Sequence, residues 1–488
     1  MTTKAPNLCK RLWLGGGGVG LFILTLVLAG PFFDRSPDRG KLGLGYDFLP
    51  AYVAGHFART GEFAKMYDRA AFSEMQTRVI RDADLEMDGR YGAGLNPPHF
   101  ALMFAPLSAL PYRTAATAWL AINVALLGGA LALLLNLLPK HIPCHPGGSG
   151  SDPRDLGNTS GSLRPEIPRS ASLPRDDGCQ LPAPSPVQSD PTSWKVKGLV
   201  PLLVLASMPF CQAMGHQQNT FLSLFLLCAT VTLWRGGRHF GAGVVCGMLF
   251  YKPQVALVVA IVLALDCGRR AVLGLGVTGV ATLLLTVWVM PGALEEYART
   301  LPLNVDWIQN RVQYNWDRQA TFQGFWRLLL HGRTLGPSMM VRFLCWTSSF
   351  AVAAALAVVF FRTRRNALSS RDRLIAASIA STPLLIPYFM DYDLLLLAVP
   401  AVLYAADLMR SGVATSADRW TVRAWIALYA WAYLSPGLSG ILRVSLTVPL
   451  LAAVATGLIL RCLRPAPVAT AGTPADAPQH EPRLAKAA

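Results

Sequence analysis

Apolar residues fall in long runs separated by short polar breaks. The first run, Trp13 to Phe33, follows Lys4, Lys10 and Arg11. It is too long for the apolar core of a signal peptide and lacks an A-x-A-like cleavage site, so it predicts a retained membrane helix with its N-terminus inside. Further apolar stretches lie at about 98–111, 114–138, 198–214, 219–234, 240–250, 253–266, 271–290, 338–361, 374–389, 393–409, 420–435 and 440–461. Several fall short of the roughly 20 residues that cross a bilayer comfortably. Short apolar helices of this kind predict a cavity or re-entrant structure at membrane depth. The pattern as a whole predicts an all-α integral membrane protein with about twelve crossings and helices lying at the interface.

The polar breaks divide the chain. Residues 34–97 form an external loop in which Phe48, Tyr52, Phe57 and then Ala71, Phe72, Met75, Val79 are spaced for interfacial helices. With the first membrane helices they make a unit over 1–138. Residues 139–197 turn abruptly to Pro, Gly, Ser and Asp, a composition that cannot bury enough apolar surface to order itself, and read as a disordered linker. A membrane bundle follows over 198–464. Its external loop, 291–337, carries Trp307, Tyr314, Trp316, Phe322, Phe325 and Trp326 and suits a membrane-surface lid or a sugar-binding wall. Residues 465–488 read as a disordered tail.

Composition sharpens this. Charged residues are 15% and apolar residues 52%, with a mean hydropathy of +0.37, which excludes an ordinary soluble enzyme. The net charge of +16 then reflects Lys and Arg in cytoplasmic loops rather than nucleic-acid binding. The Arg residues at 235, 238, 269, 270, 362, 371, 373, 410, 419, 423, 461 and 464 all fit inner ends if 240–266 is a helical hairpin. The linker is then inside and 98–111 is re-entrant from outside. The rival scheme makes 98–111 a short span and 240–266 a single one, placing the linker, Arg235 and Arg238 outside; the charge pattern favours the first. Nine cysteines include no CxxC pair, so neither a zinc site nor a disulfide framework is suggested. Gly15–Gly18 lacks the Lys-Ser/Thr of a phosphate loop. Gly274–Gly279 matches G-x-G-x-x-G within an apolar run without a preceding strand, so it is not a dinucleotide site.

Candidate chemistry sits at the polar–apolar borders. Tyr46-Asp47-Phe48 with Tyr52 and Ala54-Gly55 comes first. Asn96-Pro97-Pro98-His99-Phe100 leads to Ala105-Pro106-Leu107. Gly215-His216-Gln217-Gln218-Asn219, Tyr251-Lys252-Pro253-Gln254 and Met390-Asp391-Tyr392-Asp393 follow. In this order the motifs resemble glycosyltransferase family 87, whose best-known members look like polyprenol-phosphate-mannose-dependent mannosyltransferases. The resemblance implies a GT-C type multi-helix bundle in a bacterial inner membrane. It implies an active site facing outside, a polyprenyl-phosphate sugar donor, and a catalytic Asp in the first external loop. Hexosyl transfer, with mannose as the sugar, to a lipid or envelope-glycan acceptor is the activity implied.

Asp47 stands where that carboxylate belongs. An acceptor hydroxyl must lose its proton as it attacks the anomeric carbon, and one base with an in-line leaving group predicts inversion. The plain alternative is a solvated interfacial Asp or helix cap. Asp68 reads as the N-cap of the next helix. Lys252 lies deep in an apolar run, where a charge is costly unless paired or ligand-facing. The donor phosphate is one partner and a structural carboxylate such as Asp391 the other. His216 can bind phosphate, and Gln218, Asn219 and Gln254 can hydrogen-bond sugar hydroxyls; a capped helical turn is the plain reading of 216–219. Asp391 and Asp393 do not share a helix face, so one is expected to orient a cation and the other to cap the next helix. His99 is a possible supporting residue. No metal or cofactor is called for, because one or two basic side chains offset a phosphodiester charge. A lipid-linked sugar transporter, or a glycan ligase without hexosyl transfer, is the competing class; the internal repeats a transporter would show are not evident.

Overall fold

The computed structural model describes residues 47–85, 92, 94–139, 191–311, 314–332, 334, 336, 338–363, 368–411 and 414–464. The expected first membrane helix, residues 140–190 of the linker expected over 139–197, and the tail from 465 lie outside these; the last linker residues, 191–197, are helical. The described residues form helices and no strand, apart from one isolated bridge between Gln319 and Met390.

Two interfacial helices come first, α1 (Phe48–Thr60) and α2 (Arg69–Asp82). Gly61, in the left-handed region at φ 77°, ends α1, and Asp68 caps α2 by accepting a hydrogen bond from Ala71 N at 2.8 Å. The seven-residue α3 (Pro98–Phe104) opens with Pro at N1 and leads into the long apolar α4 (Tyr112–Leu137). Helices α5 (Pro191–Leu205) and α6 (Met208–Gly215) meet at a bend of 54° between Leu205 and Met208. Then come α7 (Thr220–Arg235), α8 (His239–Met248), α9 (Pro253–Cys267) and α10 (Arg269–Val289). Helices α11 (Ala293–Asp306) and α12 (Phe322–His331) precede α13 (Met339–Thr363) and α14 (Leu368–Leu385). A 3₁₀ segment, Asp391–Leu397, runs into α15 (Ala398–Ser411), followed by α16 (Ser416–Leu442) and α17 (Thr447–Cys462).

Among the described residues, four helical spans are long and apolar enough to cross a membrane: Tyr112–Leu137, Arg269–Val289, Met339–Thr363 and Asp391–Ser411. The bent pair of α5 and α6 would be a fifth. The sequence pattern counts more runs because α7, α8, α9 and α17 are apolar but short. Helices α10 and α13 turn large apolar side chains outward, with Trp288 85% and Trp346 75% exposed, as lipid-facing surfaces require.

Helices α8 and α9 form a hairpin with Lys252 at its apex. Both open ends lie beside the C-terminal end of α7, where Trp234 Nε1 donates to Asp266 Oδ2 at 2.7 Å. Gly243 and Gly274 let α8 and α10 touch: a Cβ on Gly274 would fall onto the Phe240 carbonyl, and one on Gly243 onto that of Ala271. The G-x-G stretch therefore serves helix packing. Arg235 donates to the Leu137 carbonyl at 3.1 Å, which sets the end of α4 at this same end of the bundle. Arg235 and Arg410 share Asp372, at 2.8 and 2.6 Å. Arg371 meets Asp266 at 2.9 Å. Arg373 and Arg461 both bind Asp407, and Arg461 and Arg464 bind Asp418. At the other end, a separate aromatic core of Phe48, Phe57, Phe72, Phe104 and Trp119 joins α1, α2, α3 and the start of α4.

Candidate active site

The polar cluster is built where five backbone segments meet opposite the arginine-rich end. Helix α7 holds 16 residues, about 24 Å at 1.5 Å per residue, so the cluster lies roughly one hydrocarbon thickness from the arginines.

Asp47 occupies the N-cap position of α1, but its side chain makes no cap bond to that helix. Its backbone N–H donates to the His216 carbonyl at 3.2 Å. Its Oδ2 accepts a short hydrogen bond from Gln218 Nε2 and lies 4.0 Å from His216 Nδ1. The carboxylate stays 30% exposed. Burial pushes its pKa above the ordinary 3.8, against the opposing pull of His216, the Gln218 amide, Arg318 and Lys252. A carboxylate that is reachable, more basic than usual and, among the described residues, without a guanidinium or ammonium in contact can accept a proton.

The turn after α6 shapes this contact. Gln217 N–H bonds the Met214 carbonyl and Gln218 N–H the Ala213 carbonyl, a Schellman ending with Gln217 in the left-handed position at φ 54°. That conformation costs a non-glycine residue about 1–2 kcal/mol. It turns Gln218 back toward Asp47. Asn219 starts α7 without a side-chain cap bond, and its carbonyl accepts from Tyr251 Oη at 3.1 Å. Tyr251 also bonds Ser223 at 2.6 Å and stacks on Phe100 at 4.6 Å. The hairpin apex and α3 are thereby fixed to the same floor.

Lys252 is engaged. Its ammonium lies 2.9 Å from Asp393 Oδ1 and 5.6 Å from the centre of the Tyr392 ring, and it is buried. Thr220 Oγ1 donates to the same Asp393 oxygen at 2.7 Å. The carboxylate expected for this pair was Asp391. Asp391 instead takes both Nε and Nη2 of Arg318, at 2.9 and 3.0 Å. The reason is local: in a 3₁₀ turn of about three residues, positions i and i+2 point about 240° apart. Each carboxylate therefore orients its own cation, where one of the two was expected to cap the next helix.

Arg318 is the residue that sequence reasoning missed. Its loop is stitched to the segment before Asp391: Ala320 N–H bonds the Phe389 carbonyl at 2.8 Å, and Phe389 N–H bonds Gln319 Oε1 at 3.1 Å. Among the described residues, Arg318 Nη1 has no partner. Tyr314 and Trp316 pack edge to face in this loop at 4.8 Å. A partnerless Asp in D-x-D, with a cation count one short, was the available signal.

The chain matches glycosyltransferase family 87 over residues 95–387, well over half of its length. The chain belongs to glycosyltransferase family 87. No curated protein and no solved structure matches it.

Within the family match lie His216, Gln218, Asn219, Lys252 and Arg318; Asp47 precedes it, and Asp391 and Asp393 follow it. A family 87 glycosyltransferase needs room for a sugar donor and an acceptor, and the Asp47 side chain is 30% exposed. Two further candidates, Gln254 and His99, make no side-chain hydrogen bond or ion pair with these groups among the described residues. Gln254, in the first turn of α9, is partly exposed and makes no side-chain hydrogen bond among the described residues. His99 on α3 likewise has no hydrogen bond there, and burial lowers its pKa. A cleft of about 560 Å³ between Gly61–Lys65 and Pro291–Glu296 shares no lining residue with the Asp47 cluster. Among the described residues no group of three or more His, Cys, Asp or Glu is placed to hold a metal ion.

Proposed function

We propose that this glycosyltransferase transfers a hexose, mannose by family resemblance, from a polyprenyl-phosphate donor to a lipid or envelope-glycan acceptor with inversion. Asp47 is the base. It takes the acceptor hydroxyl proton while the oxygen attacks the anomeric carbon and the lipid phosphate departs on the opposite face. His216 and Arg318 meet the leaving phosphate. Lys252 contributes charge from behind Asp393, which already holds its ammonium. Gln218 orients Asp47, and Asn219 and Gln254 face sugar hydroxyls once substrate is bound. His99 has a supporting place on the acceptor side, and the 291–337 loop covers the acceptor.

The fold in this reading is a GT-C type bundle of about twelve crossings in a bacterial inner membrane. The Asp47 end faces outside and the arginine-rich end inside, as the positive-inside rule asks. The observation that carries the reading is the contrast at Asp47: a reachable carboxylate held by an amide, with the His216 imidazole 4.0 Å away and no Lys or Arg paired to it among the described residues.

The test is transfer of radiolabelled mannose from polyprenyl-phosphate-mannose in membranes carrying the full chain. Asp47→Asn keeps the shape and removes the base, so transfer is expected to fall about 10²–10⁴-fold at unchanged abundance. Near-normal turnover in that variant would reject Asp47 as the base. No transfer by the wild type from any polyprenyl-phosphate sugar would reject the donor.

A further inference from the structure

Trp119 sits in the second turn of α4, 3% exposed, and touches the neighbours of both Asp47 and Gln218. Its ring stacks on Phe48, the residue after Asp47, at 6.2 Å between centroids and 16° between planes. Its Nε1 donates to the Gln217 carbonyl at 3.0 Å. Phe104 closes its other side edge-on at 4.8 Å. One indole thus holds the start of α1 through its face and the 216–218 turn through its N–H. Those two segments carry the two partners of the Asp47–Gln218 hydrogen bond. The turn needs such a restraint, because Gln217 holds a left-handed conformation that glycine adopts more easily.

We propose that Trp119 is a positioning residue for Asp47: a clamp from α4 that fixes the carboxylate against the Gln218 amide, and with it the direction from which an acceptor hydroxyl is deprotonated. The proposal rests on the reading of Asp47 as the base. Trp119 touches neither substrate nor the reacting atoms. Its influence passes through Gln217 to Gln218 on one side and through Phe48 to Asp47 on the other.

The informative variant is Trp119→Phe, which keeps a ring against Phe48 and removes the N–H. In the purified full chain, the protonation of Asp47 is followed by carbodiimide coupling across pH, read on the Asp47 peptide by mass spectrometry. Other charged and titratable groups face this carboxyl: His216, Arg318, Lys252, Tyr112, Tyr388 and Tyr392. All are retained in the variant, so a shift in the midpoint reports the loosened Gln218 bond. The expected result is an upward shift of that midpoint, together with a fall of about 10–100-fold in transfer from polyprenyl-phosphate-mannose, the scale of a misplaced catalytic group. Gln218→Leu is expected to reproduce both effects, and the double variant to be no worse than Gln218→Leu alone. A Trp119→Phe protein with a wild-type Asp47 midpoint overturns the proposal, whether or not its thermal stability has fallen. Transfer that survives Asp47→Asn overturns the base reading, and with it the clamp's catalytic meaning, while the midpoint still shows whether the clamp exists.

Discussion

The two ends of the bundle use the same residue types in opposite ways. At the arginine-rich end Asp407, Asp418 and Asp372 are each shared by two arginines, and Asp266 takes Arg371 and the Trp234 N–H. Asp407 takes Arg373 and Arg461, Asp418 takes Arg461, Arg464 and its own Thr415 cap, and Asp372 takes Arg235 and Arg410. The space left among Asp372, Arg373, Tyr404, Asp407 and Arg461 is about 10 Å³, too little for a ligand. At the other end, among the described residues, Asp391 and Asp393 each hold one cation, and Asp47 holds no Lys or Arg in close contact. Buried ion pairs give little net stability but are damaging to break, because the partner is stranded without water. Saturated carboxylates therefore lock helix ends together, whereas an unsaturated one keeps its basicity available to a substrate.

That contrast can be broken deliberately. The largest stability effect is expected at Asp407. Asp407→Asn would leave buried Arg373 with backbone carbonyls and Arg461 with Asp418 as its remaining carboxylate, and a loss of about 3–5 kcal/mol should appear in thermal or denaturant unfolding in detergent. A variant as stable as the wild type would mean that the network is idle.

Lys252 should give a smaller change, because Thr220 still donates to Asp393 when the ammonium is gone. Lys252→Met is expected to lower stability by up to about 3 kcal/mol, and Asp393→Asn in the same chain should restore most of it. Polyprenyl-phosphate binding measured beside stability separates the roles. Strongly weakened binding at unchanged stability would make Lys252 a phosphate ligand rather than a strut.

The smallest effect is on pH dependence. Burial raises the Asp47 pKa, so the carboxyl keeps its proton to a higher pH than an ordinary Asp. A base must be unprotonated, so transfer should fall as pH drops through a midpoint above 3.8. An acid limb attributable to Asp47 at or below that value would contradict the buried setting.

Much of the cluster was legible because its members sit at borders between polar and apolar runs. Asp47 opens the first interfacial helix, Gln218 closes the turn after α6, and Lys252 interrupts an apolar hairpin. A charge or amide at such a place has to find a partner, and a single chain shows that without any structure. The identity of the partner was not legible. Lys252 and Asp393 are 141 positions apart, and Arg318 and Asp391 are 73 apart; tertiary packing sets those pairings, and no local period encodes them. Trp119 was hidden for a related reason, since an aromatic in a membrane helix reads as packing until its N–H is found on the Gln217 carbonyl. Gln254 and His99, each beside a motif, make no side-chain hydrogen bond among the described residues, so no protein partner marks them. Among the described residues four helical spans, or five with the bent pair, are long and apolar enough to cross alone, and α7, α8, α9 and α17 match further apolar runs but are shorter.

The most direct test of the division between the two ends is a paired measurement on Asp47→Asn and Asp407→Asn. Each is purified in the same detergent and assayed for unfolding and for mannose transfer from polyprenyl-phosphate-mannose. The account predicts a crossed result: Asp47→Asn unfolds like the wild type but transfers about 10²–10⁴-fold less, whereas the Asp407→Asn protein that remains folded transfers at the wild-type rate and unfolds far more easily. Wild-type transfer by folded Asp47→Asn would contradict it.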